Sequence, residues 1–269
     1  MCYNCLNFNI NGGYMLLEDF IDYNGQKVIF ITGSGISEAS GVPTFRGTNG
    51  LWLNNDIEEI CNIKNFDKYY DKIIPFYDHL RLSLSDKKYN DAHSFIADMQ
   101  KKYGSHRIGV ATTNVDLFHE EAGACNVHHI HGNITELIVN YKQPNEHCIN
   151  IGYNPFNYDS LTAKCKPNVI FFEEAMHYEE GFKKEIYSDL LWLLSHARKN
   201  VIIFIIGASN QVIPFNVWLN GCSATYYNVN PVSYNKENNP IFRFPNEIEK
   251  NAIDAIPDMK LIIDNHMSI

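Results

Sequence analysis

The sequence is short of positive charge and has no long apolar run. Lysine and arginine number 22 against 31 aspartates and glutamates, and the formal net charge of -9 disfavours an extended nucleic-acid surface. The longest apolar run, residues 201–206, is far shorter than the roughly 20 residues that span a bilayer. We therefore expect neither nucleic acid nor a membrane among the partners.

A signal peptide and a disulfide framework are also missing. Residues 1–14, which we interpret as an N-terminal extension, contain no positive charge and no apolar core of signal-peptide length, so we expect a cytoplasmic protein. The seven cysteines are an odd number scattered along the chain, which is typical of free thiols. We interpret the isolated Cys2-x-x-Cys5 pair as incidental.

Apolar runs that alternate with helical periodicity predict an α/β fold, a Rossmann-like doubly wound parallel sheet with a small second lobe. The 269 residues, 45% of them hydrophobic, suffice for one large domain over residues 15–269. Its small lobe would comprise about 51–88 and 134–167, and its main lobe about 25–50, 89–133 and 168–269. Strands are predicted at 28–31, 108–112, 128–130, 169–172, 201–206 and 226–228, and helices at 91–102, at 183–197 and around 247–256.

The first predicted strand leads into a glycine-rich segment at residues 33–47. Gly33 and Gly35 follow a buried strand at its carboxyl end, where open α/β sheets bind nucleotides and where a helix start would supply amide donors to phosphate. Glycines at such a turn are weak evidence alone, because many α/β proteins need them without binding anything. Between Gly41 and Gly47, Phe45 and Arg46 predict a loop that closes over a ligand.

Polar side chains follow two further strands. Asn114 and Asp116 come after residues 108–112, and His131 with Gly132 comes after residues 128–130. Asp116 suits either a ligand pocket or a helix cap. His131 suits either a general base, since imidazole titrates near neutrality, or a histidine satisfied by a loop carbonyl.

The three strand ends together resemble the sirtuin family in order and spacing. The resemblance covers roughly residues 25–235 and continues through further motifs whose joint occurrence by chance is very improbable. These motifs are Gly50-Leu51-Trp52, His119 with Ala122-Gly123, Asn90-Asp91-Ala92-His93, Lys166-Pro167-Asn168-Val169-Ile170-Phe171-Phe172, Gly207-Ala208-Ser209 and Asn228-Val229-Asn230.

The resemblance implies an enzyme that consumes NAD+ by cleaving its nicotinamide–ribose bond, as a protein-lysine deacylase does. It assigns the general base to His131, with Asn114 beside it in the catalytic pair. It assigns NAD+ binding to Gly33, Ser34, Gly35, Ser37, Phe45, Arg46, Asn114, Asp116, Gly207, Ser209 and Asn230. Within that set, Asn114 and Asp116 would line the nicotinamide pocket and Asn230 would contact the adenosine ribose.

Two departures from the family pattern affect these expectations. Most sirtuins hold a structural zinc in the small lobe on two Cys-x-x-Cys pairs, but only Cys148 and Cys165 lie in this region, so we predict no zinc. Aromatic side chains such as Tyr153, Phe156 and Tyr158 would pack in its place.

The second departure is on the acceptor side. The family's Phe-Gly-Glu, which pairs with the acyl-lysine peptide, reads Phe172-Glu173-Glu174 here, so Phe172 and Glu173 are the predicted substrate contacts. Thr44, Thr113 and Ala208 also replace family residues. The acceptor is therefore an acylated protein lysine or another ADP-ribose acceptor. This leaves an NAD+ hydrolase, an ADP-ribosyltransferase and an inactive NAD+ or ADP-ribose sensor as alternatives.

Overall fold

The fold is described from a computed structural model. It covers residue 20 and residues 23–43, 56–142, 148–174, 198–209, 213–219, 221–233 and 244–268. The predicted helix at 183–197 lies outside these residues, as do Phe45 and Arg46. None of the described helices is long and apolar enough to cross a membrane.

The main sheet has six parallel strands in the order β3-β2-β1-β7-β8-β9. These strands are β1 (Lys27–Thr32), β2 (Ile108–Thr112), β3 (Val127–His129), β7 (Val201–Ile206), β8 (Thr225–Val229) and β9 (Glu247–Ile248). The chain moves from β1 to β2 on one side and from β7 to β8 on the other. The sheet therefore has a topological switch point between β1 and β7, the place where doubly wound sheets bind ligands.

A second sheet has three antiparallel strands in the order β5-β4-β6. They are β4 (Gly132–Ile138), β5 (Cys148–Asn150) and β6 (Lys166–Val169). The α/β fold with a small second lobe is therefore confirmed, while the residue bounds given above for the two lobes stay predictions.

The described helices are α1 (Asp56–Ile60), α2 (Tyr70–Ser83), α3 (Asp91–Tyr103), α4 (Phe118–Glu121), α5 (Phe215–Trp218) and α6 (Ile256–Met267). Helix α3 begins with a capping box, because Asn90 accepts from the amide of Ala92 and its own amide donates to His93. Alternate residues of β1 pack into two hydrophobic cores, one on each face of the main sheet. Ile29 and Ile31 pack on one face of the sheet, and Val28 and Phe30 pack on the other against α3 and α6.

Two predicted elements were wrong. Residues 169–172 do not add a strand to the parallel sheet, because β6 ends at Val169 and pairs with β4 in the small sheet. Residues 247–256 do not form a helix. Glu247–Ile248 is the edge strand β9, and the helix begins only at Ile256. In both segments the local apolar pattern does not specify the pairing partner, and tertiary pairing decides the element.

Candidate functional site

The carboxyl ends of β1 and β7 meet at the switch point with no room for side chains. A Cβ on Gly33 would lie 2.7 Å from the Cα of Ala208, and a Cβ on Gly35 would lie 2.7 Å from the Cα of Gly207. Gly207 itself has φ +62°, which favours glycine. The glycines thus let the two strand ends pack backbone against backbone, and the amides of Gly33, Gly35 and Gly207 donate to carbonyls within this edge of the sheet.

The segment after β1 differs from the predicted helix start. Ser34–Ile36 and Glu38–Ser40 form two short 3-10 turns, and the second turn is capped by Gly41 at φ +77°. Any anion here would therefore meet single-turn amides rather than the dipole of an α-helix.

Asn114 is held so that its side-chain oxygen faces no donor among the described residues. Its Nδ2 donates to the carbonyl of Gly33 at 3.2 Å and to Ser37 Oγ at 3.1 Å. Because a carbonyl only accepts, the bond to Gly33 fixes which end of the side chain is the nitrogen. Asn114 Oδ1 is buried and has no hydrogen-bond partner within the described structure. A buried acceptor of this kind is costly unless a ligand satisfies it.

Asp116 forms a local turn before α4 and also lines a pocket. Its Oδ1 accepts from the amide of Phe118 at 3.2 Å, while its Oδ2 accepts from the hydroxyl of Ser37 at 3.1 Å. Burial raises the pKa of Asp116 to about 6, although both hydrogen bonds oppose that shift. The carboxyl group therefore titrates close to neutral pH.

Two buried histidines, which the sequence analysis did not place in the site, support this cluster. His93 lies 3.4 Å from Ser37 Oγ through Nε2, while its Nδ1 accepts from the amide of Asn90. His119 bonds Thr32 Oγ1 at 2.8 Å through Nε2. Burial lowers the pKa of His93 to about 4 and that of His119 well below its usual range, so both are neutral. The sequence did carry a signal for both histidines, because each belongs to a motif that resembles the sirtuin pattern, His93 to Asn90-Asp91-Ala92-His93 and His119 to the motif with Ala122-Gly123.

His131 is held by one of its two ring nitrogens. Its Nδ1 lies 3.1 Å from the carbonyl of Thr113 and must carry the hydrogen, which leaves Nε2 as the basic nitrogen. Burial lowers the pKa of His131 to about 4, against the raising effect of the Thr113 bond, so the ring is neutral at pH 7. Gly132 has φ +85°, and a Cβ there would meet the carbonyl oxygen of Asn168 at 2.0 Å. The glycine therefore allows β6 to pass directly behind His131.

A small pocket adjoins these side chains. Its lining includes the polar Ser34, Ser37, Asn114 and Asp116 and the apolar Leu80 and Leu84. A larger open groove of about 530 Å3 shares Leu84 with it and is lined also by Lys87, Glu121 and Tyr153. No predicted cofactor-binding residue in the described ranges lines the groove, so the small pocket is the candidate site.

The remaining predicted NAD+ contacts lie along the same edge of the sheet. Ser209 follows β7, and Asn230 follows β8, where its side chain donates to Asn228 Oδ1 at 2.7 Å and to the carbonyl of Ala208 at 3.4 Å. The structure thus brings the described members of the predicted set to one edge. Their individual roles stay predictions.

The predicted substrate contacts lie beyond β6. The amide of Phe172 donates to the carbonyl of Cys61 at 3.0 Å, and the carbonyl of Phe172 accepts from Ile63 at 3.1 Å. Both backbone groups of Phe172 are therefore already paired, and a peptide strand added here would need other groups. Glu173 has φ +61°, a left-handed conformation that is unfavourable for glutamate, and its side chain forms an ion pair with Lys64.

We expect Glu173→Gly to stabilise the protein relative to Glu173→Ala by about 1 kcal/mol, because only glycine relieves the positive φ. Both substitutions remove the ion pair with Lys64, which is half-exposed and worth about 0–1 kcal/mol. Urea unfolding of the two variants and the parent measures the difference. Equal stability of the glycine and alanine variants would contradict strain at this residue.

The small lobe does not present the family's zinc ligands. Cys148 lies exposed on β5 and Cys165 lies buried on β6, with β4 between these strands. Within the described ranges, no group of three or more histidine, cysteine, aspartate or glutamate residues is arranged to hold a metal. The residues present therefore do not fit a tetrahedral zinc site.

Polar and aromatic contacts hold this lobe instead. Arg81 of α2 is buried, pairs with Asp78 and donates to the carbonyls of Gly152 and Asn154. Tyr158 also donates to Asp78. The predicted aromatic packing is present: Phe156 and Tyr158 pack with Ile74, Leu137 and Cys165, and Tyr153 packs in the cluster around α2.

The described residues fit NAD+. A carboxamide such as that of nicotinamide would donate a hydrogen to the unsatisfied Asn114 Oδ1. A pyrophosphate would lie at the turns of Gly35 and Gly207, which are only partly buried. The unsatisfied acceptor and these glycine turns both lie at the carboxyl edge of the same sheet.

Comparison with known proteins agrees with this geometry. The model of the Sir2 family matches residues 33–214. The NAD-dependent protein deacylase of Campylobacter jejuni is 32% identical over 247 residues, which cover 90% of this chain and 97% of that protein. The NAD-dependent protein deacylase of Aggregatibacter actinomycetemcomitans is 28% identical over 221 residues, covering 76% of this chain and 92% of that protein.

Solved structures share the fold. The NAD complex of a Sir2 homologue superimposes with a TM-score of 0.71 at 22% identity, covering 95% of this chain and 96% of that one. An ADP-ribose complex of a Sir2 homologue mutant gives a TM-score of 0.73 at 21% identity, covering 94% and 97%. From the family match and the first relative together, the chain belongs to the Sir2 family, the sirtuins.

Proposed function

We propose that this protein is an NAD-dependent protein-lysine deacylase, which removes an acyl group from a lysine side chain and consumes NAD+. The observation that carries the proposal is the unsatisfied Oδ1 of Asn114. It lies beside Asp116 at the edge of the sheet to which His131 belongs. Membership of a family whose curated relatives are deacylases supports the same activity.

When bound, NAD+ supplies a glycosidic bond whose cleavage builds positive charge on the sugar. Asn114 and Asp116 would hold the carboxamide end, where Asn114 Oδ1 would accept a hydrogen bond. The apolar Leu80 and Leu84 exclude water from this pocket. His131 Nε2 takes up a proton from a hydroxyl group presented to it, since the ring is neutral and its other nitrogen is held by Thr113.

A second candidate function keeps the cleavage of NAD+ and differs only in the group that accepts the ADP-ribosyl moiety. Water would give an NAD+ hydrolase, and a protein side chain would give an ADP-ribosyltransferase. The paired backbone of Phe172 and the left-handed Glu173 favour it, because both restrict the segment expected to pair with an acyl-lysine peptide.

Product analysis separates the candidates. The purified chain is incubated with NAD+, with and without an acetyl-lysine peptide, and the products are identified by mass spectrometry. We expect O-acetyl-ADP-ribose and deacetylated peptide, formed only when both substrates are present. Free ADP-ribose without peptide would indicate a hydrolase, ADP-ribosylated protein a transferase, and unchanged NAD+ a sensor.

A further inference from the structure

Two histidines bond the two consecutive carbonyls of the turn that carries Asn114. His131 Nδ1 lies 3.1 Å from the carbonyl of Thr113, and His129 Nδ1 lies 3.1 Å from the carbonyl of Asn114. A carbonyl cannot donate, so both Nδ1 atoms carry hydrogens. The turn is therefore fixed by two imidazole rings, of which the sequence analysis singled out only His131.

The second nitrogen distinguishes His129 from His131. His129 Nε2 lies 2.7 Å from Glu120 Oε1, and the side chain of His129 is only 13% exposed. Both ring nitrogens thus face acceptors, an arrangement that suits the doubly protonated ring. Burial lowers the pKa of His129, but the hydrogen bond and charge of Glu120 and the carbonyl of Asn114 outweigh it, so the net shift is upward.

The charged and titratable groups around His129 come from two elements. Helix α4 contributes Glu120 and the buried, neutral His119, and the turn after β2 contributes Asp116. The negative groups stabilise an imidazolium at residue 129. Glu120 Oε2 is buried without a partner in the described structure. The carboxylate of Glu120 is therefore held there through Oε1, by its bond to His129.

We propose that His129 is a positioning residue of the nicotinamide pocket, which holds the backbone of Asn114 through Nδ1 while Glu120 holds Nε2. The inference rests on the proposed function, because it assigns the Asn114 amide to the nicotinamide group. His129 acts through Asn114 and needs no contact with a ligand. Loss of its charge frees the turn, so that Asn114 Oδ1 is no longer held in the direction of the pocket.

The effect is confined to one end of the dinucleotide. Gly33, Gly35 and Gly207 belong to the ends of β1 and β7, whereas His129 ends β3 beyond β2. Binding of ADP-ribose, which lacks nicotinamide, should therefore depend on His129 much less than binding of NAD+ does, the remaining link being the bond from Asn114 Nδ2 to the carbonyl of Gly33. A defect in folding would weaken both ligands alike.

The test measures the Kd of NAD+ and of ADP-ribose by titration calorimetry for the full chain and for His129→Gln, Glu120→Gln and the double variant. His128→Gln, on the same strand, is the matched control. We expect His129→Gln to weaken NAD+ about tenfold, the value of one charge-assisted hydrogen bond, and to change ADP-ribose less than about twofold. The double variant should bind as His129→Gln does, since the two residues act as a pair.

The pH dependence of NAD+ affinity is a second measurement, which would not change if His129 only supported the fold. In the parent chain, NAD+ affinity relative to ADP-ribose should fall as the pH rises through the raised pKa of His129, above the ordinary histidine value of 6.5. His129→Gln should lack this change. The Asp116 carboxyl still titrates in the variant, but at a higher pH, because the charge of His129 no longer lowers its pKa.

Two results would overturn the inference while leaving the proposed function intact. One is parent-like NAD+ affinity and pH profile in His129→Gln, and the other is an equal loss of NAD+ and ADP-ribose. A parent chain that binds ADP-ribose but not NAD+ would reject the proposed function and this inference together. His128→Gln behaving like His129→Gln would also reject it.

Discussion

Replacing His131 with alanine is expected to lower the rate of deacylation by about 100-fold to 10,000-fold, the usual contribution of a general base. The substitution removes the one basic nitrogen, Nε2, that the ring presents while Thr113 holds Nδ1. The glycine turns at Gly33, Gly35 and Gly207 are untouched, so the Kd for NAD+ should change less than about threefold. Deacylation kinetics and titration calorimetry measure the two effects.

The matched control for this prediction is His131→Asn. An asparagine amide can still donate to the carbonyl of Thr113 but cannot accept a proton near neutral pH. Both variants should therefore be inactive if His131 is the base. Recovery of activity in His131→Asn would show that the residue only supports the turn, and normal deacylation by His131→Ala would remove the assignment.

Breaking the buried ion pair between Lys166 and Glu174 is expected to destabilise the fold by about 3–5 kcal/mol, because it removes a close counter-charge from a group that is almost fully buried. Lys166 Nζ lies 3.0 Å from Glu174 Oε1, and the two side chains are only 1% and 3% exposed. Lys166 also donates to the carbonyl of Pro167, and Glu174 Oε2 accepts from the amide of Phe171. The pair thus ties β6 to the segment that contains Glu173.

Glu174→Gln is the sharpest single variant, since its amide oxygen still accepts from Phe171 while the charge is lost. Adding Lys166→Met removes the buried ammonium as well, so the double variant should be more stable than the sum of the single effects predicts. Urea unfolding of the three variants gives the coupling free energy. Simple additivity would mean that the two charges do not depend on each other.

The sequence predicted the centre of the site because each element of it is local. A short apolar run ending in glycine, as at Gly33, and polar residues after a strand, as at Asn114 and His131, are visible within about ten residues. The carboxyl ends of parallel strands meet at one edge, so the predicted fold brings these residues together. The six-stranded sheet confirms that step.

The sequence failed where the outcome depends on distant partners. Residues 169–172 form a continuous apolar run that suits a parallel core strand, yet β6 pairs with β4 and Phe172 pairs with Cys61 and Ile63. His129 was overlooked although it alternates with His131, and this period of two was the available signal. Its significance depends on Glu120, which only folding brings within 2.7 Å.

By itself, the sequence determined the α/β fold, the resemblance to sirtuins and the strand ends that form the site, because hydrophobic periodicity and turn chemistry act over short stretches of chain. Only the tertiary structure decided the protonation and hydrogen bonding of the side chains in the site. The unsatisfied oxygen of Asn114, the neutral ring of His131 and the paired ring of His129 depend on burial and on partners far along the chain. Desolvation and hydrogen-bond geometry are set by the surrounding volume, and no local pattern encodes that volume.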